Sequence, residues 1–192
     1  MKVSRETAAA NREKIVDVAS RLFREKGFDG IGVADLMKEA GLTHGGFYGH
    51  FESKDQLAEE ASNRAVERAL KRWREIADGA GDDAFEALVK NYLSEERFSS
   101  PGAGCLFAAL GSEASRQRKT VRRVFAEGFE KFIAILADAA PGRTKAEKRK
   151  RSIAAFSEMV GALVLARAVN EPALANEILR TTASDLTRRK SW

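Results

Sequence analysis

Apolar residues recur at helical spacing along nearly the whole chain. Ile15, Val18, Ala19, Leu22 and Phe23 mark one face of a segment from Thr7 to Lys26, and Gly27 stops it. Phe28 and Ile31 follow in a short loop and are expected to pack back onto that stripe. A second, short helix is predicted from Val33 to Ala40, burying Val33, Leu36, Met37 and Ala40, with Gly32 at its N-cap. Gly41 then occupies the position suited to a left-handed residue. Only Gly41 and Leu42 separate this helix from a third, Thr43 to His50, whose apolar face is Phe47 with Phe51 and whose N-cap is Thr43. Two short helices joined by a tight glycine turn, with a helix before them, form a helix-turn-helix.

Ser53 and Gln56 give the signature of a capping box opening a long fourth helix. Its stripe is Leu57, Ala61, Ala65, Ala69, Trp73 and Ile76, and the stretch Asp78 to Asp83 ends it. At 1.5 Å per residue this helix is roughly 35 Å long, enough to link two lobes. Further helices are expected over 85–93, 105–114, 118–139, 145–169 and 172–188, with a loop at Ser99–Gly102 and a break at Pro141-Gly142. The pattern predicts an all-α protein of about nine helices. Residues 8–54 would form a helix-turn-helix domain and residues 55–190 a larger helical domain.

Composition narrows the function classes. Of 192 residues, 44% are apolar, which is enough to build a core and argues against intrinsic disorder. One cysteine excludes an intramolecular disulfide, and two histidines leave no zinc-ligand cluster. The opening residues Met1 to Glu6 lack the apolar region of a signal peptide. The longest uncharged stretch, Phe98 to Ser112, falls short of the ~18 residues of a membrane span and contains Pro101. A cytoplasmic protein is expected, with no membrane contact. The net charge of +5 argues little for nucleic acid, because residues 1–55 hold nine basic and nine acidic groups and the excess lies beyond them.

One motif is more telling than the charge. The run Thr43-His44-Gly45-Gly46-Phe47-Tyr48-Gly49-His50-Phe51-Glu52-Ser53-Lys54, with its approach Val33 to Leu42, resembles the recognition block of the tetracycline-repressor (TetR) family. The resemblance covers residues 10–57; Gly104-Cys105-Leu106 and Gly161–Val169 look like weaker blocks of some members. It implies a one-component regulator, a repressor released from a palindromic operator by a small molecule. The implied partners are double-stranded operator DNA, a second copy bound through the last two helices, and an effector whose identity the sequence does not give.

A recognition helix presents its N-terminal residues to base edges in the major groove. Gly45 and Gly46 would let the backbone approach DNA, although each glycine in a helix costs about 1 kcal/mol relative to alanine. The resemblance places Thr43, Tyr48, His50 and Lys54 at phosphate-binding positions. His50 has an equal alternative, packing its ring between helices. His44 stands where the family often carries Lys or Arg, so both a base edge and a phosphate remain open to it.

In the larger domain, Phe85, Tyr92, Cys105, Phe107, Leu110, Phe125, Phe129 and Met159 are the candidate effector-pocket residues; core filling is the alternative for each. Cys105 reads either as an inert buried thiol or as a sensing one. Ala154, Ser157, Gly161, Ala162 and Ala166, with Leu163, Leu165 and Leu174, form the expected dimer surface. No catalytic residue, cofactor motif or metal spacing stands out. Two other classes stay open: a helical adaptor that has lost DNA binding, and a small helical enzyme.

Overall fold

The computed structural model describes residues 4–188. Among them are nine α-helices and three short 3-10 segments, with no strand. The helices are α1 (Arg5–Lys26), α2 (Val33–Glu39), α3 (Lys54–Ala80), α4 (Ala84–Tyr92), α5 (Glu95–Ser99), α6 (Leu106–Ala114), α7 (Lys119–Ala139), α8 (Lys145–Ala168) and α9 (Pro172–Arg188). The 3-10 segments are His44–Gly49, Gly81–Asp83 and Pro101–Ala103. The second domain proposed from sequence, 55–190, ends two residues outside the described part.

Local chemistry sets the ends of these elements. Ser4 caps α1 by accepting from the Thr7 N–H, and Gly27 closes it at φ 83°. After α2 the backbone closes a Schellman motif, with Leu42 N–H donating to the Met37 carbonyl and Gly41 N–H to that of Lys38. Gly41 takes φ 67°, as the turn demands. Thr144 and Glu147 complete a reciprocal capping box at the start of α8.

The elements differ from the sequence reading at three places. The third helix of the helix-turn-helix is not α but a 3-10 segment, shown by Gly46 N–H donating to Thr43 and His50 N–H to Phe47. A six-residue segment with two adjacent glycines has little helical preference to resist this tightening. Ser53 does accept from Gln56 N–H, but the Gln56 side chain reaches back to the Glu52 N–H and not to that of Ser53, so the box is displaced by one residue. The stretch expected as a loop at 99–102 is preceded by α5 and contains a 3-10 turn.

The long α3 is the spine. It packs on α1 at one end and on α7 and α4 further along, while α8 packs on α7 and α9. A single apolar core runs through both parts of the chain, from Ile15 and Phe23 through Leu57 and Trp73 to Phe156 and Leu186. Where α3 passes α1, ion pairs bind the two helices: Arg12 with Glu60 at 2.6 Å, Arg68 with Asp17 at 2.7 Å, and Arg64 with Glu13 and Asp17. No helix among the described residues is long and apolar enough to cross a membrane.

Candidate nucleic-acid interface and effector cavity

The recognition segment is held from below by aromatics. Phe47 and Phe51 are buried with ring centroids 5.5 Å apart, and the Arg12 guanidinium lies 4.7 Å above the Phe51 ring. Phe47 shares one core with Leu36 and Met37 of α2. With those side chains fixed inward, the residues between them must face outward. Thr43, His44, Gly45 and Tyr48 are all exposed, and Tyr48 is 70% exposed although its ring packs edge-on against Phe47. A large aromatic residue so exposed beside a buried neighbour leaves its hydroxyl free to meet a partner.

The remaining candidates sit at the edges. His50 is half-buried with its ring 6.4 Å from that of Phe51, so the packing role is at least partly met. Lys54, at the start of α3, places its ammonium 6.0 Å over the Phe23 ring and is also half-buried. Thr43 makes no side-chain capping bond, which leaves its hydroxyl uncommitted. The two glycines are not equivalent. A Cβ on Gly45 would point into open space, whereas one on Gly46 would meet Met37 Cε at 3.6 Å and Thr43 Oγ1 at 3.7 Å. Gly45 therefore belongs to the outer surface and Gly46 to the inner one.

In the larger part, the predicted pocket residues separate into three groups. Tyr92 and Cys105 line a small buried cavity of about 30 Å³ with Trp73, Phe132, Leu163 and Arg72. Phe107, Phe125 and Phe129 line an open groove of about 430 Å³ on the other side of the aromatic cluster. Phe85, Leu110 and Met159 lie in the packed core and line neither space. Phe156 is the hub between these groups, touching Trp73, Tyr92, Phe107, Phe129 and Phe132 at centroid distances of 5.3–6.1 Å. Sequence reading missed Trp73 and Phe132 as wall residues and Phe156 as the core hub, because helical periodicity marks an inward face without telling core from cavity wall.

Burial pushes the hydroxyl of Tyr92 well up and raises the Cys105 thiol above its ordinary value. The Tyr92 hydroxyl closes no well-formed hydrogen bond, and its polar neighbour is that thiol. Cys105 is the N-cap of α6, where the N–H groups of Phe107 and Ala108 favour the thiolate, but desolvation outweighs them. No group of three or more metal-ligating side chains comes together among the described residues.

Comparison with known proteins agrees with this geometry. Residues 15–61 match the family described as bacterial regulatory proteins, tetR family. The chain is 28% identical over 128 residues to the HTH-type transcriptional regulator LmrA of Bacillus subtilis, covering 65% of this chain and 68% of that one. It is 25% identical over 140 residues to the HTH-type transcriptional repressor NemR of Escherichia coli, covering 71% and 70%. In three dimensions it is similar to the reduced form of E. coli NemR, with TM-score 0.78 and 22% identity over 92% of this chain and 95% of that one. It is likewise similar to a TetR transcriptional regulator from Chloroflexus aurantiacus, with TM-score 0.80 and 22% identity over 96% and 98%. The helix-turn-helix, its match to bacterial regulatory proteins and the relatives named as transcriptional regulators make this chain a DNA-binding transcriptional regulator. Over residues 15–61 it carries the DNA-binding segment of the tetR family of bacterial regulatory proteins.

Proposed function

We propose that the protein is a homodimeric repressor that grips a palindromic operator in the cytoplasm and releases it when a small molecule enters the larger domain. The observation that carries the DNA contact is the exposure of Tyr48 between buried Phe47 and Phe51, which turns Thr43, His44 and Gly45 toward the same solvent. Thr43, Tyr48, His50 and Lys54 would hold phosphates, His44 would meet a base edge or a phosphate, and Gly45 with Gly46 would allow the close approach. Residues 8–54 supply this surface, and residues 55–190 supply the effector site and the dimer contact.

The dimer contact would use the outer faces of α8 and α9. Ile153, Val164 and Leu165 on α8 and Leu174 on α9 are large apolar residues left exposed, while Ser157 lies among them. Ala162, Leu163 and Ala166, included with that surface on sequence grounds, are buried against the protein's own core. A two-fold pairing of these faces would set two recognition segments against the half-sites of a palindrome. The relatives named as repressors favour the repressing sense. Selection of sites from random duplex DNA by the full chain tests the reading. Enrichment of an inverted repeat, bound by a dimer, is the expected result; recovery of unrelated sequences at uniform salt-dependent affinity would overturn it.

A further inference from the structure

Between the C-terminal half of α1, the middle of α3 and the Ser99–Gly104 loop lies a cavity of about 820 Å³. Its size is that of a small-molecule site, and charged side chains stand among its apolar surface. Four arginines line it, Arg21, Arg24, Arg68 and Arg72, against two carboxylates, Asp17 and Glu25.

Those carboxylates are already engaged. Glu25 pairs with Arg21 at 3.1 Å, and Asp17 pairs with Arg68 at 2.7 Å and also with Arg64. Arg24 pairs with no carboxylate among the described residues; its Nε donates to the Gly102 carbonyl at 2.9 Å, its Nη2 bonds the same oxygen, and its Nη1 donates to the Ser20 hydroxyl at 2.9 Å. Arg72 closes no ion pair or hydrogen bond among the described residues, and Glu75 and Glu96 act on it only through space. Two guanidinium groups thus face one cavity without a counter-charge in contact. The short α5 that leads into the loop opposite is held by Arg167, which donates to the carbonyls of Arg97 and Phe98 at 2.7 and 3.3 Å. The loop also lies close against α1, because a Cβ on Gly102 would collide with the Glu25 carboxylate.

We propose that this cavity binds a small dianion, a phosphate monoester or a dicarboxylate, through Arg24 and Arg72, and that the ligand draws Arg24 off the Gly102 carbonyl. An ionised oxygen is a stronger acceptor for a guanidinium than a neutral carbonyl, and the planar fork suits a carboxylate or phosphate. Burial above all, with Arg68 and Arg72 as like-charged neighbours, pulls the Arg24 guanidinium down to about 10, a cost that a bound anion relieves. Arg24 belongs to the helix that carries the DNA-binding domain and Gly102 to the other domain, so breaking that bond loosens one from the other. This last step rests on the reading of the protein as a DNA-binding regulator; the anion site itself does not.

Calorimetry on the full chain without DNA tests the site, using phenyl phosphate and succinate at constant ionic strength, with phenol and succinamide as uncharged controls. Saturable binding of at least one dianion is expected, with none of the controls; whichever dianion binds distinguishes ester from dicarboxylate. Arg72→Gln should weaken it by about tenfold or more, as loss of a charged hydrogen bond implies. Arg72→Lys keeps the charge without the fork and should bind more weakly than the parent but more tightly than Arg72→Gln. Absence of saturable binding by either dianion overturns the site, and so does equal affinity in the parent and Arg72→Lys. Titration of the selected duplex then tests the coupling: the bound dianion should lower DNA affinity, and no change overturns the uncoupling step. If the anion-free protein selects no duplex at all, the regulator reading fails while the site stands or falls on the calorimetry.

Discussion

Glu113 of α6 accepts a hydrogen bond from the backbone N–H of Phe28, 2.8 Å away and 85 positions earlier in the chain. Its carboxylate also lies over Gly27, where a Cβ would come within 2.7 Å of it. The turn out of α1 is thereby tied to α6. Glu113→Ala leaves the Phe28 N–H without this partner, and a lost hydrogen bond to a charged group costs about 1.5–3 kcal/mol. Urea denaturation should show a fall of this size with little change in m. A fall below a few tenths would mean that water replaces the carboxylate freely.

The glycine pair separates surface from support. Gly45→Ala places its methyl in open space, so its melting temperature should stay near that of the parent while DNA binding weakens. Gly46→Ala directs its methyl toward Met37 and Thr43 at ordinary contact distance, so its effect on DNA should be smaller. Because this segment is 3-10 and not α, the gain of about 1 kcal/mol expected for alanine in an α-helix should not appear in full. Thermal melts and DNA titration at fixed salt on both variants decide it; stronger loss of DNA binding at Gly46 than at Gly45 would reverse the assignment.

The fold was legible in the sequence wherever a stripe and a stop coincided. Ile15 to Phe23 followed by Gly27, and Leu36 with Met37 followed by Gly41, defined their helices because apolar period and turn chemistry agree. The 3-10 character of His44–Gly49 was not legible, because two glycines leave the choice between i+3 and i+4 bonding to the packing of Phe47. The motif proposed Thr43, His44, Gly45 and Tyr48 for contact with DNA, and all four are exposed. The cavity walls were legible only in part: Tyr92, Cys105, Phe107, Phe125 and Phe129 line them, but Trp73 and Phe132 carry the same periodic signal as Leu88 or Met159, and only packing separates them. Arg24 and Arg72 were equally silent, since a charge on a helix reads as a solvated face until a loop from elsewhere closes over it.

Phosphate contacts should reveal themselves through salt. Lys54→Ala should weaken binding to all duplex sequences and lower the salt slope by about one unit per half-site. Tyr48→Phe removes one hydroxyl but no charge, so it should weaken binding with little change of slope. Fluorescence anisotropy across a salt series measures both. Altered sequence preference with unchanged general affinity in either variant would contradict the phosphate assignments.

Phe156 should be the most sensitive position of the larger domain. Its ring stacks on Phe132 with an interplanar angle of 13° and meets four other aromatic rings edge-on. Truncation to alanine removes the hub of that cluster, and large aromatic truncations in a core cost about 3–5 kcal/mol. Phe156→Leu, which keeps much of the volume, should lose markedly less. Equal losses would show that the aromatic geometry matters more than the space filled.

Cys105 presents a contest between two physical effects whose outcome can be read by rate. The N–H groups of Phe107 and Ala108 and the Tyr92 hydroxyl all favour the thiolate, as a helix N-terminus does for reactive thiols. Burial opposes them and wins, so the thiol lies above its ordinary value. The sign follows directly: at pH 8 the folded protein holds less thiolate than an unfolded chain, and the fraction grows as pH climbs toward the raised value. Iodoacetamide should therefore modify Cys105 more slowly in the folded protein than in urea, with the folded rate still rising at pH 9. Tyr92→Phe removes one of the groups favouring the thiolate and should slow the reaction further. Alkylation of the folded protein faster than of the unfolded chain at pH 8 would show that the helix end prevails, and would make Cys105 a reactive thiol instead of an inert one.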